Sequence, residues 1–329
     1  MRRLAARETE LTGTSTRARS VAALALLASA VAACASSEIS IPKLAEKYGL
    51  PASHTLNPSP GLRVHYTDEG NRDGRTLILI HGFAASVHAW RPWIERLKPD
   101  YRLVAIDLPG HGLTQTPQNY RATLAGSVAL IDALATEIGT QNFVLAGHSM
   151  GGAVSIAYAK AHPEKLEGLV LVDAAGWPGD RGGPPAFAAL FNNPVGRWFI
   201  KLINPRLFAN GGLKSAYRDK ALVTDALIDR YVDLAMAEGH RDVLLTQRMQ
   251  AEPPWTPVDF HAIRVPTLVM TGEDDAIIPA DDARAIAAAI PGAKLILYPE
   301  AGHLPMEQFP DETTRDLRAF LATLGPPHP

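Results

Sequence analysis

Six short apolar runs punctuate the chain, at residues 77–80, 103–106, 143–146, 169–172, 268–270 and 295–298. None alternates apolar with polar positions, and each is rich in Val, Ile or Leu. Strands buried on both faces read this way, so the pattern predicts a mostly parallel sheet covered by helices. Residues 62–66 (LRVHY) alternate better and predict an antiparallel edge strand. Helical spacing fills the gaps at 87–97, 124–138, 150–161, 281–290 and 313–324. Strand and helix in turn predict an open α/β sheet.

The alternation breaks between Gly176 and Ile263. That stretch opens on GWPGDRGGPP, carries helix-like pieces at 187–191, 197–203, 224–237 and 242–250, and closes on EPPWTP. A long excursion between two strands, with helices of its own, is expected as a helical cap over one end of the sheet. Residues 35–59 are rich in Ser, Pro and small side chains and predict a tether with one short helix near 42–48. The expected organisation is therefore a leader over 1–33, a tether over 34–60, an α/β core over 61–175 and 264–325, and a cap over 176–263.

The leader has its own pattern. Arg2, Arg3, Arg7, Arg17 and Arg19 face only Glu8 and Glu10, and the 13 apolar residues VAALALLASAVAA follow at 21–33. A bilayer-spanning helix needs roughly 20 residues, so this run is too short to cross. A positive flank, a short apolar core and small residues predict an export signal. The run ends VAAC, which resembles a bacterial lipobox. That resemblance implies cleavage before Cys34 and lipid on its sulfur, hence an exported protein held on the periplasmic or extracellular side of a membrane. An ordinary signal cut at an A-x-A site, giving a secreted soluble protein, and a buried helix with an incidental cysteine are the alternatives.

Composition narrows the rest. At 47% hydrophobic and 20% charged, the chain is of ordinary globular make-up. Losing the five arginines and two glutamates of the leader takes the formal charge from −2 to −5, and no basic stripe marks the body, so no nucleic-acid partner is expected. Cys34 is the one cysteine, which excludes an internal disulfide framework and a cysteine-rich zinc site. The glycine-rich stretches lack dinucleotide and P-loop spacing, so neither cofactor nor metal is expected.

Gly147-His148-Ser149-Met150-Gly151 carries the candidate chemistry. It reads G-x-S-x-G, with a predicted strand before it and a predicted helix after it. A sharp turn there leaves no room for flanking side chains and pushes the serine hydroxyl out at the carboxyl end of the sheet, where α/β sheets bind ligands. Serine needs a base, and the base an orienting acid. Among eleven histidines, His303 lies on a loop after the last strand, at the same end of the sheet as Ser149. His148 adjoins the serine and should point elsewhere; His65, His88 and His111 read as structural or surface groups. Candidate acids are Glu273, Asp274 and Asp275 after the 268–270 strand, and Asp173 after the 169–172 strand.

From about Leu62 to Leu324 the chain resembles the α/β-hydrolase superfamily. HGF at 81–83, DLPGHG at 107–112, GHSMGG at 147–152, GEDDAIIP at 272–279 and GHLPMEQFP at 302–310 match its pattern in order. The resemblance implies Ser149 as nucleophile, His303 as general base and, by the family's G-x-x-D spacing, Asp275 as the acid. It also implies an oxyanion hole from the backbone N–H groups of Phe83 and Met150, and a structural role for Asp107. The expected reaction is hydrolysis of a carboxylic ester on a small apolar substrate, as in carboxylesterases. Carbon–carbon bond hydrolysis, lactone hydrolysis and a non-catalytic binding module of the same fold are the alternatives. Phe187, Phe191, Trp198, Phe199, Phe208 and Trp255 in the insertion either line an apolar pocket or, more plainly, form the cap's own core.

Overall fold

Five of the six apolar runs become the middle of one sheet, and the sixth, at 295–298, becomes its half-buried edge. A computed structural model describes residues 38–179, 205–247 and 255–326. Its strands are β1 (Ser53–Ser59), β2 (Leu62–Gly70), β3 (Thr76–Ile80), β4 (Arg102–Ile106), β5 (Phe143–His148), β6 (Leu166–Val172), β7 (Thr267–Gly272) and β8 (Lys294–Tyr298). They lie in the order β1-β2-β4-β3-β5-β6-β7-β8. β1 and β2 pair antiparallel, as do β2 and β4; every other pairing is parallel.

Alternate side chains of the central strands leave the sheet on opposite faces, because the strand period is two. Ile78, Ile80, Leu145, Leu169 and Leu171 join one core with α3 (Leu124–Glu137), α4 (Met150–Ala161) and α9 (Ala280–Ala289). Leu77, Leu79, Val144, Val170 and Val172 join the other with α2 (Arg91–Leu97) and α11 (Pro310–Leu321). Both faces are dry, which explains the missing in/out alternation.

The connection from β3 to β4 runs toward one edge of the sheet, and the connection from β4 to β5 returns past β3 toward the other. The strand order therefore reverses between β3 and β5. A crevice opens at the carboxyl ends of strands where connections diverge in this way.

Three expectations needed correction. Residues 62–66 run antiparallel as expected, but β2 lies between β1 and β4 and is not an edge. Over their described part, residues 35–59 hold the short helix expected near 42–48, α1 (Ile41–Tyr48), but are no plain tether, because they continue into the edge strand β1. Leu56 is the one buried residue of β1, so the strand left almost no apolar signal. α1 straps onto the β6–β7 insertion. Ile39 N–H donates to Met236 O (2.8 Å), Glu238 N–H donates to Ile39 O (3.1 Å), and Ile41 and Leu44 bury against Leu113, Leu234 and Ala237. Lys47 Nζ and Tyr48 Oη both donate to Asp233, at 2.8 and 2.7 Å. Residues 87–97 are likewise not one helix but a 3₁₀ turn at Val87–Trp90 followed by α2; Pro92 lacks an N–H and suits the first turn of a new helix.

The described part of the insertion carries α5 (Pro205–Ala216), α6 (Asp225–Ala235), α7 (His240–Gln247) and α8 (Pro257–His261). The pieces expected at 187–191 and 197–203 lie outside the described residues. Several contacts fasten the insertion to the core. Tyr217 Oη donates to Glu307 Oε2 (2.7 Å) in α10 (Pro305–Gln308), His240 Nε2 lies 2.8 Å from Thr114 O, and Phe260 of α8 is buried in one main core, where Trp255 packs edge-on to it.

α5 was not foreseen because Gly211 and Gly212 interrupt it. Both are exposed, and a methyl group at either would meet nothing within 4 Å. Glycine inside a helix costs about 0.5–1 kcal/mol relative to alanine. The double variant Gly211→Ala/Gly212→Ala is therefore expected to be more stable by about 1–2 kcal/mol, read as a higher midpoint in urea with unchanged slope.

Candidate active site

Backbone crowding at the reversal of strand order builds the site. A Cβ on Gly147 would lie 2.2 Å from Gly151 O and 2.3 Å from Ser155 Oγ; one on Gly151 would lie 2.2 Å from Ile80 O. Only glycine lets the β5–α4 turn press this closely on the end of β3. Ser149 between them sits at φ 53°, ψ −116°. Its N–H donates to Val172 O (3.0 Å), and its carbonyl accepts from Gly152 N–H (2.9 Å) and Ala175 N–H (3.0 Å). Ser149 is the N-cap of α4, yet its side chain makes no capping hydrogen bond. Among the described residues, Ala84, Asn119, Ser149 and Asp173 are the non-glycines at positive φ. Three of the four sit at the ends of β3, β5 and β6, which is where strain tends to collect in functional sites.

The loop after β3 lies against this turn. A Cβ on Gly82 would be 2.7 Å from His148 Nδ1 and 3.1 Å from Ser149 Cβ. Phe83 follows, 43% exposed, with its ring edge-on to His111. His81 fixes the loop: its Nε2 accepts from Leu108 N–H (3.0 Å) and its Nδ1 donates to Gly82 O (2.7 Å). The ring itself, and not only its glycine neighbour, is therefore a structural tie between the β3 and β4 loops.

Asp107 ties the same loops from below. Its carboxylate accepts from Val87 N–H (2.7 Å), Leu113 N–H (2.9 Å) and His65 Nδ1 (2.7 Å). Burial opposes its charge, but the His65 hydrogen bond and these amides win and hold it well below the usual carboxylate range. Gly112, at φ +55°, is needed here because a Cβ would fall 1.9 Å from the carboxylate.

His303 enters from the loop between β8 and α10. Its Nδ1–H donates to Asp275 Oδ2 at 2.7 Å, and both side chains are buried. A proton on Nδ1 leaves the lone pair on Nε2. Its backbone is clamped twice: the N–H donates to Ala216 O (2.7 Å), and the carbonyl accepts from His148 Nε2–H (2.7 Å). The His148 and His303 rings stand 4.7 Å apart. The neighbour of Ser149 thus pins the His303 loop beside the serine turn, a role that sequence reasoning did not assign.

The three adjacent acids diverge. Asp274 pairs outward with Arg218 and Glu273 with Arg284, whereas Asp275 turns inward. Asp275 Oδ1 accepts from Ile277 N–H (2.7 Å) and Ile278 N–H (3.0 Å), which aims Oδ2 at the imidazole. Asp173 is buried close by: one ligand atom each from Asp173, Asp275 and His303 lies within 4.8 Å of the others. The hydrogen bond to His303 Nδ1 nevertheless comes from Asp275. Cys34, Phe187, Phe191, Trp198 and Phe199 lie outside the described residues. Of the other aromatic candidates in the insertion, Trp255 packs on Phe260 and Phe208 is exposed.

The alpha/beta hydrolase family model matches residues 77–316. The chain belongs to the alpha/beta hydrolase family. This hydrolase is 29% identical over 279 residues to Lipase 1 of Psychrobacter immobilis, covering 82% of this chain and 84% of the lipase. It is 24% identical over 286 residues to a 2-hydroxy-6-oxononadienedioate/2-hydroxy-6-oxononatrienedioate hydrolase of Paraburkholderia phymatum, covering 82% and 94%. Among solved structures it is similar to a bacterial membrane phospholipase A, with a TM-score of 0.71 and 25% identity over 98% of this chain and 99% of that one.

Burial holds His81, His111 and His148 of the hydrolase below the ordinary histidine value, so all three stay neutral in the fold. Unfolded, they titrate near 6.5, at about the unperturbed value. Below that pH the unfolded chain takes up protons that the folded chain refuses, and stability is lost as pH falls. The melting temperature is expected to drop between pH 7.5 and 5. Replacing His111 by a neutral, similarly shaped Gln should flatten that slope.

Proposed function

We propose that the protein is a serine hydrolase that cleaves a carboxylic ester through an acyl-enzyme, with Ser149 as nucleophile, His303 as base and Asp275 as the orienting acid. The observation that carries this reading is the buried 2.7 Å bond from His303 Nδ1 to Asp275, which fixes the tautomer able to accept a proton at Nε2. His303 Nε2 takes the Ser149 proton as Oγ attacks the carbonyl carbon. Asp275 stabilises the resulting imidazolium. The N–H groups of Phe83 and Met150 receive the developing oxyanion, each contributing about 3 kcal/mol. His303 then protonates the leaving alcohol, water takes its place, and the same base resolves the acyl-enzyme. The helix dipole of α4 assists, because its amino end begins one residue after the nucleophile.

Ester substrates are favoured by the likeness to a lipase and to a phospholipase. Carbon–carbon bond hydrolysis is the second reading, favoured by the likeness to the 2-hydroxy-6-oxo-dienedioate hydrolase. A panel of ester, lactone, thioester and vinylogous diketone substrates separates them. Ser149→Ala is expected to lower kcat by about 10⁶-fold without lowering the melting temperature, and to abolish labelling by a fluorophosphonate probe. A few-fold loss, or an unlabelled wild type, would favour a non-catalytic binding module.

We further propose that the leader exports the chain and that Cys34 carries lipid. Glu38, whose carboxylate accepts from Gly239 N–H (3.3 Å), is four positions after Cys34, so at most about 14 Å of chain separates the lipid from the helical cap. Substrate in the same membrane would then be within short reach. Cys34→Ser is expected to stop processing, so that an uncut precursor without incorporated fatty acid appears on a gel. A wild-type chain that is itself uncut and unlabelled would overturn the lipid anchor.

A further inference from the structure

Two carboxyl groups meet behind the His303 ring, and only one has a role in the chemistry above. Asp173 is 1% exposed and closes β6 at φ +42°. Its N–H donates to Met270 O (2.9 Å). Its Oδ1 accepts from Thr271 Oγ1 (2.8 Å) and from Gly272 N–H (3.0 Å). Its Oδ2 is buried and no amide, hydroxyl or cationic donor among the described residues reaches it. Asp275 is differently served, with two amide donors on Oδ1 and the His303 N–H on Oδ2.

The surroundings leave little choice about charge. β7 offers Thr271 and Gly272, the loop after β8 offers His303, and β8 offers the Tyr298 phenol. The arginines on the Asp275 loop's other acids are engaged there, Arg218 with Asp274 and Arg284 with Glu273. Two buried carboxyl groups in contact, without a cation between them, cannot both ionise. Asp275 holds the donors that stabilise an anion. Burial, and next the Asp275 charge, push the Asp173 carboxyl well above the usual range.

We propose that Asp173 works as a neutral carboxylic acid whose Oδ2–H donates to the Asp275 carboxylate, making it a positioning residue for His303. No net proton transfer is required. The Asp173 hydrogen bond draws charge from Asp275 and lowers its basicity, so the shared proton stays on His303 Nδ1 and Nε2 keeps its lone pair. It also weakens the pull of Asp275 on the imidazolium formed during turnover. This rests on the serine-hydrolase reading for its effect on rate, but not for the protonation state.

The test compares Asp173→Asn, which keeps an N–H donor and the Oδ1 acceptor, with Asp173→Ala, which removes both. Asp173→Asn is expected to hold kcat/KM within about three-fold and to leave the acid limb of its pH profile in place. Asp173→Ala is expected to move that limb upward by roughly 0.5–1 pH unit. Infrared difference spectra of wild type against Asp173→Asn at pH 7 read the protonation directly: the carbonyl stretch of a buried, un-ionised carboxylic acid should be present in wild type and missing in the variant. That arm needs no turnover and works if Asp173→Ala does not fold. No such band, an Asn variant shifted as far as the Ala variant, or an unmoved limb in a folded Ala variant would each overturn the assignment. An inactive wild type that shows the band would instead count against the hydrolase reading.

Discussion

The close approach of the β5–α4 turn to the end of β3 is the constraint from which the rest of the site follows. Gly151 touches the carbonyl of Ile80, and Gly82 lies against Ser149 and His148. Side chains at these positions would push the turn away from the β3 loop. The serine would then lose its place between the helix dipole and the amides of that loop. The strained backbone of Ser149 costs of order 1–3 kcal/mol, and backbone hydrogen bonds to Val172, Gly152, Ala153 and Ala175 hold it. Core packing on both faces of the sheet supplies the rigidity that makes such strain affordable.

Around that turn, buried histidines act as hydrogen-bonding spacers. His81 joins the β3 and β4 loops, His148 joins the β5 turn to the His303 loop, and His65 joins β2 to Asp107. Each presents a ring nitrogen to a fixed backbone or carboxylate partner, so each tautomer is set by its neighbours. Low dielectric strengthens these bonds and makes any unpaired charge costly. The same setting makes the two aspartates behind His303 share one negative charge.

Much of this was legible in the sequence, and the reason differs by element. The five central strands announced themselves because burial on both faces demands continuous Val, Ile and Leu. The place of Ser149 on the β5–α4 turn and the pairing of His303 with Asp275 were legible because ordered motifs marked the strand ends. β1 escaped because a single residue, Leu56, faces the core, and α5 because two glycines disguise a helix held by Leu213 and Ala216. His148 was read as turned away from the chemistry, yet its partner carbonyl is 155 residues distant. No local pattern encodes such a bond. Asp173 was visible as a competing acid, but its place behind Asp275 depends on how β6 and β7 align.

The strap formed by residues 38–48 decides where mechanical load travels. A pull at the amino end arrives first at the hydrogen bonds of Glu38 and Ile39 to the α6–α7 corner, then at the Lys47 and Tyr48 contacts with Asp233. Tension would thus be borne by the helical insertion before it reached the sheet, and would tend to lift the insertion while the strands below kept their register. A tag or surface attached at this end is therefore mechanically coupled to the β6–β7 insertion.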